Sequence, residues 1–373
     1  MTFPSLLSTN SVSWRGPIRL GFLPVTDSAP VIMAQELGIF SQYDLGVTLH
    51  RERDETLLRD KFVEGELDAI QASATLPFLL SLGIGCEPCA SVTGLILGLQ
   101  GNAITVSNEL SRRGVADATS LGRLVLEEGG RRTFTFGVPH LASTQSLLLR
   151  HWLRLGGVDP DRQVRLLAVP PMELYPHMKL GYLDGFCASE PWNSVVVEAG
   201  MGCCVATSAE LAPLHPEKVL VVRRDFARER AEEHLRLSAA LIESCRFCDV
   251  PKNWGVIRNA LTHFNYVNAP METLISELGV PFNLGLSTVT GFHQFAMFHR
   301  HHANAPTRER ALWMLDQMVL HRVLPPVDLA SRQKLLATYS NEAFSRAHSL
   351  VAQQWQSTLL EERVLAEAAE RGR

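Results

Sequence analysis

The chain has 373 residues, 46% hydrophobic and 20% charged, with a formal net charge of −4. These are globular values for a chain long enough to form two α/β lobes, and the slight acidic balance excludes the basic footprint of a nucleic-acid-binding protein. Seven cysteines, an odd number, follow a start that lacks the basic and apolar regions of a secretory signal, so reduced thiols in a cytoplasmic protein are expected, or a periplasmic one if a leader has been trimmed.

The first predicted unit is a strand, a polar loop and a helix. Ile18–Phe22 reads as a buried strand and Leu23–Ser28 as the loop at its carboxyl end. Ala29–Leu37 reads as a helix with Pro30 in its first turn, Asp27 or Ser28 as N-cap and Gly38 as stop. Strands follow at Val47–Arg51 and Leu67–Gln71, with a helix from Glu55 to Glu64 between them. No stretch reaches the ~20 apolar residues of a membrane span; Leu76–Gly85 is too short and holds a proline.

Alternation continues with strands at Ala103–Ser107, Arg132–Gly137, Val164–Ala168, Gly185–Ala188, Cys203–Thr207 and Lys218–Val222. Helices fall at Glu109–Arg113, Ser143–Leu155, Pro171–Leu180 and Pro191–Ala199. This is the strand–helix rhythm of parallel sheets. Beyond Asp225 helices dominate, at Arg236–Phe247, Trp254–Phe264, Glu309–Leu320 and as one long helix from Asn341 to Arg371. Phe344, Leu350, Val351, Trp355, Leu359 and Leu360 stripe that last helix, which is expected to pack on the body.

Several chemistries find no motif. The sequence has no Gly-rich phosphate loop, no HExxH and no Ser-His-Asp order. Cys86-Glu-Pro-Cys89 and Cys245-Arg-Phe-Cys248 have ligand spacing but lie far apart, so inert thiols and no metal are expected. His293, His299, His301 and His302 are expected as solvated histidines.

A succession of motifs then becomes specific. It runs Gly21-Phe-Leu-Pro-Val-Thr-Asp-Ser-Ala-Pro30, Gly65-Glu-Leu-Asp68, Gly101-Asn-Ala-Ile-Thr-Val-Ser107 and Arg150-His-Trp-Leu-Arg-Leu-Gly-Gly-Val-Asp-Pro160. It ends with Met178-Lys-Leu-Gly-Tyr-Leu-Asp-Gly-Phe-Cys-Ala-Ser-Glu-Pro-Trp192 and His215-Pro-Glu-Lys-Val-Leu220. Together these resemble the nitrate- and bicarbonate-binding solute proteins of ABC uptake systems and their cytosolic nitrate/nitrite-sensing relatives. The resemblance implies a type II periplasmic-binding-protein fold, α/β, with two lobes around a ligand cleft. Residues 1–104 plus 219–373 would form lobe one with the C-terminal helices, and 105–218 lobe two.

The resemblance also implies a cleft for a small anion such as nitrate or nitrite, without cofactor and without catalysis. Lys218 matches the family's anion-contacting lysine and Asn102 a family amide. Gln145 stands where nitrate binders have a histidine, and Glu55 where they have a tryptophan. A carboxylate there would repel an anion or pair with Lys218. Glu190 and Trp192 are candidate cleft-wall residues. Thr26, Asp27 and Ser73 follow predicted strands at their carboxyl ends, where ligands of open α/β sheets sit. With no export signal, the expected role is a cytosolic sensor that holds an RNA-binding antiterminator. The alternative is the binding component that serves an ABC permease and ATPase.

Overall fold

The computed structural model describes residues 16–274, 282–283, 288–289 and 295–354. Ten strands carry the two main sheets: β1 Ile18–Phe22, β2 Val47–Arg51, β3 Ala69–Ser73, β4 Ser91–Gln100, β5 Asn102–Ser107, β6 Phe134–Val138, β7 Val164–Ala168, β8 Gly185–Ser189, β9 Gly202–Thr207 and β10 Pro216–Arg223. The first sheet runs β4-β10-β3-β1-β2, with the short strand Ala296–Met297 added outside β4. The second runs β7-β6-β8-β5-β9. In each, a parallel set (β2-β1-β3 and β7-β6-β8) is continued by antiparallel strands.

The chain passes between the sheets twice. The first passage is Gly101, the single residue separating β4 from β5; the second is the segment between β9 and β10. Gln100 ties them together: its N–H donates to the His215 carbonyl (3.1 Å) and its side-chain oxygen accepts from Leu214 N–H (2.8 Å). Gly101 has φ +92°, and an added Cβ would lie 2.9 Å from Asp27 Oδ1. Glycine is thus required at this passage both by conformation and by space.

The first helix shows why its sequence is apolar all round. Ala29–Glu36 lies between the first sheet and the helices Ala231–Cys248 and Trp254–Leu261, so every residue from Ala29 to Ala34 is buried. Ser244 Oγ donates to the Pro30 carbonyl (2.6 Å), which joins the C-terminal helices to this element. Ser28 is not a side-chain cap; its hydroxyl donates backward to the Leu23 carbonyl, closing the loop after β1.

Two departures from the sequence reading have physical causes. β3 is Ala69–Ser73 rather than Leu67–Gln71, because the Asp68 carboxylate accepts from Arg19 N–H and from its guanidinium and holds the strand's approach as a turn. β4, the longest strand, is not announced by the pattern, since Gly94 and Gly98 interrupt it. Gly94 is needed there: a Cβ would come within 2.9 Å of the Ala343 Cβ. Residues 341–354 are helical and bury Ala347 and Val351 against the body, as expected for packing. Trp355, Leu359, Leu360 and the rest of the reading to Arg371 lie outside the described residues, as does His293. Helices Ala231–Cys248, Trp254–Leu261 and Arg308–Leu320 occupy the expected segments.

No helix among the described residues is long and apolar enough to cross a membrane. Gly101→Ala combines a left-handed backbone with a clash against Asp27, so it is expected to destabilise the protein by about 1–3 kcal/mol, read by urea denaturation.

Candidate functional site

The two sheets meet end to end, and polar groups are concentrated where they do. Pairing sets their positions. In the first sheet Lys218 stands opposite Ser73; in the second, Asn102 stands opposite Ser189. The helix Thr144–Leu155 brings Thr144 and Gln145 in its first turn, capped by Ser143. The loop after β1 brings Thr26 and Asp27, and the end of β8 leads into Glu190 and Trp192. Thr26, Asp27, Glu55, Ser73, Asn102, Gln145, Glu190, Trp192 and Lys218 are all buried. The structure therefore buries every residue that the sequence offers for the cleft.

Their hub is a residue the sequence reading passed over, Glu217. Its Oε1 accepts from Lys218 Nζ (2.7 Å) and Gln145 Nε2 (2.8 Å), and its Oε2 from Asn102 Nδ2 (2.6 Å), with His215 Nε2 lying 3.3 Å from Oε2. Gln145 Nε2 also reaches Asn102 Oδ1 (3.0 Å) and Ser189 Oγ (3.1 Å), and Ser189 Oγ donates to Asn102 Oδ1 (2.8 Å). A Pro-Glu-Lys run heading a wholly apolar strand was the available signal. Two adjacent charges there have no route to water and must find partners inside.

Glu55 opens the helix Glu55–Val63, and its Oε1 accepts from the Ser73 N–H (3.2 Å). Its charge is nonetheless felt by Lys218, together with those of Glu217 and Asp27. Burial works against the Lys218 ammonium, but these carboxylates more than offset it and its pKa is raised. Burial likewise opposes ionisation of Glu217, yet Lys218 and His215 hold it down at about 2.

Asp27 and Glu190 are in the opposite situation. Burial pushes Asp27 up to about 7; the Glu217 charge adds to this and Lys218, 4.0 Å away, opposes it. Burial also pushes Glu190 up to about 7, against its bonds from Ser194 N–H and Oγ. Asp27 Oδ2 and Glu190 Oε1 receive no hydrogen bond.

Direct contacts close the seam. Thr26 N–H donates to the Glu190 carbonyl (2.7 Å), Trp192 Nε1 to the Pro24 carbonyl (3.0 Å) and Thr144 N–H to Ser73 Oγ (3.1 Å). Beside the cluster lies a mainly apolar cavity of about 260 Å³, bounded by Thr144, Leu148, Leu211, His215, Trp313 and Met314.

The two CxxC pairs and the His-rich run lie elsewhere. Cys245 and Cys248 are buried in the helix Ala231–Cys248, where Cys245 Sγ faces the Leu97 carbonyl (3.6 Å), and Cys86 and Cys89 are half-buried. His301 and His302 are exposed. No group of three or more potential ligands among the described residues is placed to hold a metal ion.

The cluster makes two predictions. Lys218→Met leaves Glu217 buried without its cation and is expected to cost about 3–5 kcal/mol in urea denaturation, with much of the loss restored in Glu217→Gln/Lys218→Met. The second concerns pH. Asp27 and Glu190 titrate near 3.8 and 4.5 when unfolded and near 7 when folded. Across that window the unfolded chain binds fewer protons than the native one, so their contribution to stability falls as pH rises. The contribution of Glu217 runs the other way, lost as pH falls from 4.5 towards 2. Asp27→Asn and Glu190→Gln should therefore gain stability over the parent above about pH 7 and converge with it near pH 4, measured by denaturant titration at several pH values.

Comparison with known proteins places this geometry. Residues 15–261 match the NMT1-like family. The chain is 35% identical over 302 residues to the nitrate import ATP-binding protein NrtC of Synechocystis sp., covering 80% of this chain and 45% of that protein. It is 28% identical over 336 residues to the bicarbonate-binding protein CmpA of Synechococcus elongatus, covering 85% and 74%. The chain spans about half the length of the curated ATP-binding relatives it matches. Its fold aligns with the crystal structure of the periplasmic nitrate-binding protein NrtA from Synechocystis PCC 6803, with TM-score 0.84, 22% identity, and 90% and 89% of the two chains covered.

Proposed function

The chain belongs to the NMT1-like family, and from that premise we propose that it is a non-enzymatic solute-binding protein working with an ABC importer. The observation that carries this reading is the seam itself. Two sheets present buried polar side chains to one another, and the only covalent links between the strands of the two are Gly101 and the segment before β10. Such a pair can part to admit a small solute and close around it. The closed state then gains whatever the solute contributes. Thr26–Glu190, Trp192–Pro24 and Thr144–Ser73 are the contacts that re-form on closure.

The names of the relatives support import of a small ion over the sensor expected from the sequence. NrtC and CmpA are named for nitrate import and bicarbonate binding, and the solved neighbour is periplasmic. The antiterminator partner draws no support from them. This chain has no Gly-rich phosphate loop, so we assign the ATP-binding activity of NrtC to a partner protein and not to this chain. The compartment we propose is the periplasm, checked by osmotic-shock fractionation.

The reading is tested by ligand-dependent thermal unfolding of the full chain. The panel is nitrate, nitrite, bicarbonate, small sulfonates, amides and amines. At least one should raise Tm saturably, because a solute held only by the native state adds RT ln(1 + [L]/Kd). Trp192→Phe should weaken that solute by about 3–10-fold in calorimetry, since it removes one closing hydrogen bond. A Tm that no member of the panel moves would remove the reading.

A further inference from the structure

If the seam is the solute site, the polarity of its groups specifies what enters. The donors that could grip an anion already have internal acceptors. Lys218, Gln145 and Asn102 all direct a hydrogen bond to the Glu217 carboxylate, which stands where an oxyanion would, and the Nδ1 of His215 is taken by the Ala212 carbonyl (2.8 Å). The carboxyl groups around Lys218 are those of Asp27, Glu55 and Glu217; Glu190 lies within reach of the Asp27 charge, and all four are buried.

What remains unused is mostly acceptor. Asp27 Oδ2 and Glu190 Oε1 are enclosed and unbonded. The two residues are coupled through space, and the backbone N–H of Thr26, next to Asp27, is bound to the Glu190 carbonyl. The amide nitrogen of Gln71 is unbonded as well, its oxygen being taken by Leu23 N–H (3.2 Å). Above about pH 7, where Asp27 and Glu190 ionise, nitrate offers only acceptors and bicarbonate one hydroxyl, so neither can satisfy both carboxylates.

We infer that this seam takes a small solute rich in N–H donors, of the guanidinium or urea type. Such a solute is as flat and as small as nitrate or bicarbonate but has the reverse hydrogen-bond polarity. Its N–H groups meet Asp27 Oδ2 and Glu190 Oε1, and a cation also balances the surplus of carboxylates. Urea in addition supplies an acceptor for Gln71.

The test is thermal unfolding and calorimetry on the full chain with guanidinium chloride, urea, sodium nitrate and sodium bicarbonate at millimolar concentration, against sodium chloride. Guanidinium or urea should raise Tm saturably, while nitrate and bicarbonate track the sodium chloride control. A response to guanidinium alone identifies the charge as the attraction, and a response to urea alone identifies the donors. Asp27→Asn and Glu190→Gln keep shape and remove charge, and each should weaken guanidinium at least tenfold; either variant suffices if the other does not fold. A rise with nitrate or bicarbonate and none with guanidinium or urea would overturn the inference and leave the solute-binding reading standing. Silence towards all four would overturn it too, and the wider panel then decides the parent reading separately.

Discussion

The carboxylate of Glu217 is the point on which the architecture depends. A buried carboxylate is tolerated only when nearly all its lone pairs are met. Here the donors that meet them come from three places: Lys218 near the start of β10, Asn102 at the start of β5, and Gln145 in the first turn of the helix over the second sheet. Removing any one exposes a charge to a dry interior. The hub therefore fixes where the two sheets stand relative to each other as firmly as the apolar packing does.

That constraint also explains the passages between the sheets. β5 and β10 both start near the hub, and the chain turns beside it through the left-handed backbone of Gly101 (φ +92°) and Leu214 (φ +61°). Gln100 joins the two turns by bonding to Leu214 and His215. A hinge made of two tied segments bends as a unit. Its motion would separate the loop after β1 from Glu190 and Trp192 while leaving each sheet intact. In α/β proteins the carboxyl ends of strands favour ligands for geometric reasons. In this protein the same ends also carry unbonded carboxyl oxygens, which turns a general preference into a particular polarity.

Much of the fold was legible in the residues. Alternating apolar strands and capped helices announced most elements through Val222, because period and capping act locally, though the helices Leu76–Leu82 and Ala118–Glu128 went unread. The family resemblance supplied the two-lobed α/β architecture, which the structure bears out. β4 was hidden, since Gly94 and Gly98 answer to the C-terminal helix and the neighbouring strand rather than to any strand propensity. β3 was shifted by Asp68, whose partner Arg19 lies 49 residues away.

The site divides along the same line. The sequence by itself pointed to Thr26, Asp27 and Ser73 through strand ends, and the motifs that carry the family resemblance pointed to Gln145, Glu190 and Lys218. It could not determine their partners. Whether Lys218 faces a solute or Glu217, and whether Asp27 is bonded or bare, depends on how elements distant in the chain pack around them, Asn102 and Gln145 lying 115 and 72 residues from Glu217. Those contacts exist only once both sheets are packed, for hydrogen bonding is short-ranged in space and indifferent to separation along the chain.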